Sequence, residues 1–339
     1  MTSSPFIATT VTSATSLLHA YRNAFSHNAR NSNIMYPHLL KVAKMERQGA
    51  PTDSSQFWIV CCSATKPDNV DFVLSCTDGP LGTYPIFIFS PRCDMNSDFI
   101  TPRIKLLVET LLQRIDVRRA YSIFAVEPVS RAFANFWRLA TGIGYYPEPY
   151  YAAMFSYCTR TSRAPRRQNT ILDNTTYHLR RAVTTDIPTV TILCNGFAST
   201  ADPFTQTLEQ SAREAEILVN NQQLWVHTIK EGNMSEDIAS IVAVTRDADS
   251  VAAITKVYTN PKWRARRCAE RLVRYVCDQL LETKESVVLY VAHDNNAARK
   301  VYDRVGFLGL KKEAYGNVPG VEPWLEIGFD RESVDLGMW

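Results

Sequence analysis

The chain has 339 residues, 45% hydrophobic and 11% aromatic, with charged residues at 21%; this excludes a disordered chain or a lone small module and points to two domains of ordinary size. Thirty-seven Lys and Arg stand against 34 Asp and Glu, a formal +3, too small a surplus to imply a nucleic-acid partner. The longest apolar runs, at 57–62 and 84–90, have strand length and fall short of the roughly 20 residues that cross a membrane.

The first residues show no basic segment followed by a continuous apolar one, so no cleaved secretory signal is expected. Eight cysteines lie in apolar stretches and never form a C-x-x-C pair, which suits buried thiols better than disulfides or metal ligands. The expected setting is cytoplasmic, reducing, with no metal and no membrane or nucleic-acid partner.

In chain order, apolar or alternating runs predict strands at 56–63, 69–76 and 84–90. A helix follows at 104–115, where Ile104, Leu107, Val108, Leu111 and Leu112 fall at helical spacing. Next come a strand at 120–126, a helix at 130–141 stopped by Gly142, and a strand at 151–157. Residues 159–170 (TRTSRAPRRQNT) are polar, carry four arginines and a proline, and read as a solvated basic linker. Beyond it the pattern predicts a strand at 177–183, helices at 187–194 and 204–219, and strands at 224–229, 238–245 and 251–258. Residues 264–283 form an amphipathic helix in which Glu270 precedes Arg274 by one turn. A strand at 286–292, a helix at 296–305 stopped by Gly306 and a strand at 324–329 close the chain. The same order of elements recurs in two α+β halves, 1–158 and 171–339.

The chemistry concentrates in two segments of the second half. In VYTNPKWRARRCA, 257–269, a strand runs through a basic turn into a helix, which places free backbone N–H groups and the positive end of a helix dipole at one point. Phosphate is the natural guest. After the next strand comes NNAARKVYDRVGF, 295–307, where a helix cap, a tyrosine and a helix-stopping glycine stand at fixed spacing.

These segments resemble the GNAT superfamily of acyl-CoA N-acyltransferases. Arg264 and Ala269 match the first and last positions of its phosphate motif, Arg/Gln-x-x-Gly-x-Gly/Ala. Asn295, Ala298, Tyr302, Gly306 and Phe307 match all five positions of its second signature, Asn-x-x-Ala-x-x-x-Tyr-x-x-x-Gly-Phe. The resemblance covers about 177–329 and extends to fungal tandem members. It implies a tandem GNAT fold, α+β, with mixed central sheets flanked by helices, and acetyl-CoA or another acyl-CoA as co-substrate. Implied cofactor-binding residues are Val257, Arg264, Ala265, Arg266, Arg267, Cys268, Ala269 and Asn295. Tyr302 is the implied general acid for the leaving thiolate, since a phenol donates a proton as that charge develops.

Two departures from the family pattern stand out. The motif's central glycine is Arg267, and the residue after Arg264 is Ala265. An arginine there either adds a charge-assisted phosphate contact or obstructs one. The strand 251–257 also lacks the carboxylate that often serves as base, which leaves the base unassigned; Glu209, Glu214, Glu216 and His227 lie on elements that flank the acceptor cleft in similar proteins, and each is also a common surface residue. Cys268 has no His partner and reads as structural.

The first half echoes the plan in distorted form. SIFAVEPVSRAFANFWRLATGIGYY, 122–146, resembles the later strand–helix–glycine segment, with Trp137 near the tyrosine position. It reads as a degenerate half without a cofactor site. The implied reaction is direct acyl transfer, most simply of acetyl, to a primary amine on a small molecule or peptide. A non-catalytic binding protein on the same fold, or a GNAT-like enzyme recruited to other chemistry in a biosynthetic pathway, are the alternatives.

Overall fold

The computed structural model describes residues 5–51, 53, 55–93, 95–165, 175–311 and 318–339. Its elements run β1 (Phe6–Val11), α1 (Ala14–Ser26), α2 (Tyr36–Arg47), β2 (Phe57–Ser63), β3 (Lys66–Cys76), β4 (Ile86–Phe89), α3 (Ser97–Leu112), β5 (Ser122–Val126), α4 (Glu127–Thr141) and β6 (Tyr151–Thr159). They continue with β7 (Thr175–Arg181), α5 (Ile187–Ala198), α6 (Leu208–Asn220), β8 (Leu224–Glu231), β9 (Asp237–Asp247), β10 (Val251–Thr259), α7 (Cys268–Leu281), β11 (Ser286–Ala292), α8 (Asn296–Val305) and β12 (Glu322–Gly328).

Two compact units emerge, Met1–Ala153 with Glu322–Trp339, and Met154–Val321. In the first, the strands lie in the order β1-β2-β3-β4-β5-β12, and in the second β7-β8-β9-β10-β11-β6. Each has a run of antiparallel neighbours, then one parallel pair, β4 with β5 and β10 with β11. The parallel pairs require crossover helices, α3 and α7, which the sequence supplies as amphipathic segments.

The continuous halves expected from the sequence do not match these units. The last strand, β12, pairs antiparallel with β5 of the first unit, and β6 neighbours β11 in the second. Sheet pairing joins residues far apart in sequence, so no local pattern records this exchange. The expected linker also differs: Arg160 donates to the carbonyls of Leu281 and Glu282, Arg163 pairs with Asp278, and the Ala164 amide bonds to Val305 O at 3.0 Å. Residues 160–164 therefore dock on the second unit, and 166–170 fall outside the described residues.

In the second unit, alternation along β8 sends Leu224 and Val226 into a core with α5 and α6, while Ile229 packs on the opposite face with Ala239, Trp263 and Cys268 at the start of α7. The sheet thus separates an α5–α6 face from an α7 face. Among the described residues no helix is long and apolar enough to cross a membrane.

Candidate active site

The site grows from the parting of two strands. β10 and β11 pair only over Val251–Ser286, Ala252–Val287 and Ala253–Val288. Immediately beyond, β10 carries a bulge between Ala253 and Lys256 against β9, and a bulge bends the strand that contains it. The rest of β10, through Val257 to Thr259, therefore has no β11 register beside it.

The turn that follows is anchored from below. Asn260 accepts from the Lys262 amide at 3.1 Å, and buried Trp263 donates its indole N–H to Asp237 at 2.7 Å. Above this anchor the backbone takes two left-handed steps, Ala265 at φ 62° and Arg267 at φ 59°. L-residues adopt that region at roughly 1–2 kcal/mol each, and glycine is its usual occupant. Arg267 thus keeps the backbone conformation of the glycine it replaces. It also explains why α7 begins at Cys268 rather than at 264.

No side chain caps α7. Its first-turn N–H groups have no intrahelical partner, so the helix start behind this turn is positively polarised. The Arg267 side chain is exposed and makes no hydrogen bond or ion pair among the described residues. Arg264, also exposed, makes long contacts of 3.4 Å to Thr259 O and the Tyr258 hydroxyl and lies 5.6 Å from the centre of the Tyr258 ring. The Arg267 guanidinium is the unengaged one of the two. Arg266 is engaged: it pairs with Glu231 and stacks over Trp263 at 5.0 Å. Glu270, acidic in the first turn, faces Arg274 and Arg304 at 3.9 and 3.5 Å. Ala269 is half-buried, and Cys268 is buried beside Trp263 with its thiol pushed up by desolvation, so neither side chain serves the helix start as a reactive group.

The second signature is largely architectural. Asn295 uses its side-chain oxygen to cap α8, accepting from the Ala298 amide at 3.0 Å, so that oxygen serves the helix rather than a ligand. Gly306 ends α8 at φ 119°, and a Cβ there would lie 2.4 Å from Ser162 O. Phe307 meets the Tyr302 ring edge-on at 5.7 Å. Tyr302 itself is buried, and burial with nearby Cys277 raises its phenol well above the usual range. It stays protonated, the form a general acid requires.

Of the four candidate bases, Glu209 and Glu216 are exposed. His227 is fully buried, stacked on Tyr177 at 5.2 Å, and desolvation with Arg271 lowers it to about 4. Glu214, on α6, pairs with Lys256 of β10 at 2.6 Å. No local pattern in the sequence marks that pair, since its members lie 42 residues apart.

Residues 193–307 match the family model described as "Acetyltransferase (GNAT) family". A search of curated proteins finds no match. Among solved structures, a Drosophila protein is similar at TM-score 0.61 and 11% identity, over 95% of this chain and 98% of that one. A tandem GNAT protein from the clavulanic acid biosynthesis pathway is similar at TM-score 0.52 and 10% identity, over 96% and 98%. A GCN5-related N-acetyltransferase from Sphaerobacter thermophilus is similar at 0.51 and 13%, over 98% of each chain.

Proposed function

From the premise that the chain has the tandem GNAT fold, with the family's acetyltransferase domain in its second half, we propose that it transfers an acyl group from acyl-CoA to a primary amine. Acetyl is the simplest donor group, and the reaction is direct attack in a ternary complex. One observation carries this reading: α7 begins uncapped behind a left-handed turn, with the exposed Arg267 side chain unengaged at its mouth and exposed Arg264 beside it. That helix start suits the pyrophosphate of CoA, because backbone N–H groups and guanidinium groups both favour phosphate oxygens.

The gap between β10 and β11 gives the pantetheine arm a path along the edge of β10, past Val257, where the β11 pairing no longer runs beside the strand. Tyr302, buried and protonated, donates to the departing thiolate and recovers its proton from the new amide nitrogen. Cys268 takes no part as nucleophile. The first unit serves as a degenerate partner without a cofactor site.

Calorimetry with acetyl-CoA tests this directly. One molecule per chain is expected; absence of binding, or two per chain, refutes the reading.

A further inference from the structure

β10 carries no carboxylate, yet a carboxylate reaches it. Lys256 and Tyr258, two residues apart on one face of the strand, both turn toward α5 and α6. Tyr258 packs against that core and against Gly196, where a Cβ would lie 2.7 Å from the phenol oxygen. The Lys256 ammonium lies 4.8 Å from the centre of the Phe197 ring and bonds Glu214 Oε2 at 2.6 Å. Lys256 is 8% exposed, so the pair is fixed rather than a loose surface contact. Glu214 Oε1 has no hydrogen bond among the described residues.

The position gives this pair its meaning. The start of α7 packs through Trp263 and Cys268 on the opposite sheet face from α5 and α6, while Arg264 in the turn before it reaches the Tyr258 hydroxyl at 3.4 Å. An acyl donor held at that helix start by its phosphates reaches the α5–α6 face through the gap where β10 leaves β11, beside residues 254–258. We propose that Glu214 is the proton acceptor of the acyl transfer and that Lys256 positions it, so that α6 supplies the carboxylate β10 lacks. The inference rests on the acyltransferase reading above.

The step balances as follows. A protonated alkylamine gives one proton to Glu214 Oε1, and its lone pair forms the C–N bond to the thioester carbon. The C–S bond breaks, sulfur takes the Tyr302 proton, and the nitrogen returns its second proton to Tyr302. Glu214 then releases its proton to water. Nearby Cys194, pushed up to about 12 by burial, stays a thiol and offers no rival nucleophile. Phe197 and Tyr258 flank the pair with aromatic surface, so an arylmethyl monoamine suits this face.

The test compares two acceptors, benzylamine and hydroxylamine, by free-thiol release from acetyl-CoA. Benzylamine is protonated at neutral pH and needs a base; hydroxylamine is already unprotonated and needs none. In Glu214→Gln, the ratio of benzylamine to hydroxylamine turnover is expected to fall roughly 100- to 10,000-fold, the range for loss of a general base. Lys256→Met should lower the ratio by a smaller factor, and Lys256→Arg should restore it. Equal losses with both amines in Glu214→Gln, or no loss, would overturn the proposal, and so would a wild type that binds acetyl-CoA but acylates neither amine. Calorimetry on the same samples keeps the two readings apart, since a wild type that fails to bind acetyl-CoA removes the acyltransferase reading itself.

Discussion

Two turns of the same design face opposite outcomes. In the first unit β4 leads into α3, and Asn96 caps that helix, its side-chain oxygen accepting from the Phe99 amide at 2.9 Å. No described residue between Phe89 and Ser97 has positive φ. In the second unit β10 leads into α7 through two left-handed residues, and no side chain caps the helix. The strands differ likewise. Phe87 and Phe124 pair across β4 and β5, with the Trp339 ring 5.4 and 5.1 Å from them, while the smaller Ala253 and Val288 pair across β10 and β11. A helix start can take an anion only when its amides are left free. The first unit closes its helix start with Asn96, and the second leaves the start of α7 uncapped.

The largest expected effect lies in the second unit. Tyr302→Phe keeps the buried ring and removes the proton donor, so turnover should fall roughly 100- to 10,000-fold, or about 3–5 kcal/mol of barrier, with acetyl-CoA affinity within a few-fold of wild type. Steady-state kinetics beside calorimetry measures both, and unaltered turnover would remove Tyr302 from the mechanism.

The first unit predicts a pH effect. Glu326 is buried beneath Trp339, accepting from Ser122 Oγ at 2.8 Å and from the Trp339 indole at 3.3 Å. Desolvation lifts its carboxyl from 4.5 to about 8, so folding favours the protonated form. This group's contribution is therefore full below about pH 4.5 and is lost as pH climbs toward about 8, a few kcal/mol at about 1.4 kcal/mol per unit. Urea titrations across that window should show the slope in the wild type and its removal in Glu326→Gln; identical pH profiles would contradict it.

Arg267 sharpens the comparison next. Arg267→Ala should weaken acetyl-CoA binding by about 1–3 kcal/mol, the loss of a charge-assisted hydrogen bond. Arg267→Gly should weaken binding as well while raising thermal stability by about 1 kcal/mol, because glycine relieves the left-handed strain. Tighter binding in Arg267→Gly would mean that the guanidinium obstructs the helix start. The smallest effect belongs to the capped helix: Asn96→Ala should cost about 1 kcal/mol of stability and leave acetyl-CoA affinity alone, as read by thermal melts and calorimetry.

What the sequence made legible was local. β11 and α8 fall on the residues their patterns predict, because β-branched runs and a cap-to-glycine helix are short-range signals. The basic turn into α7 was legible from Arg264 to Ala269, whereas the pairing of Arg266 with Glu231 was not, its partner lying 35 residues away. α3 starts at Ser97 with Pro102 inside it, and the proline masked its first turns from a periodicity reading. β1, α1 and α2 had no predicted counterpart, since residues 5–51 mix polar and apolar positions without a clean period. The Lys256–Glu214 pair and the exchange of β6 and β12 depend on contacts that only tertiary folding creates.

That exchange sets the order in which the units can be finished during synthesis. β6 is already made when β11 leaves the ribosome, so the second unit can complete its sheet with strands in hand. The first unit, though encoded first, waits for β12 about 200 residues after β5, on the order of 10–40 s at ordinary elongation rates. Through that interval β5 presents a bare edge lined with Ile123 and Phe124, the kind of surface that recruits foreign strands. The unit translated first is thus the last to be sealed, and nascent chains stalled before Glu322 are the species most exposed to aggregation.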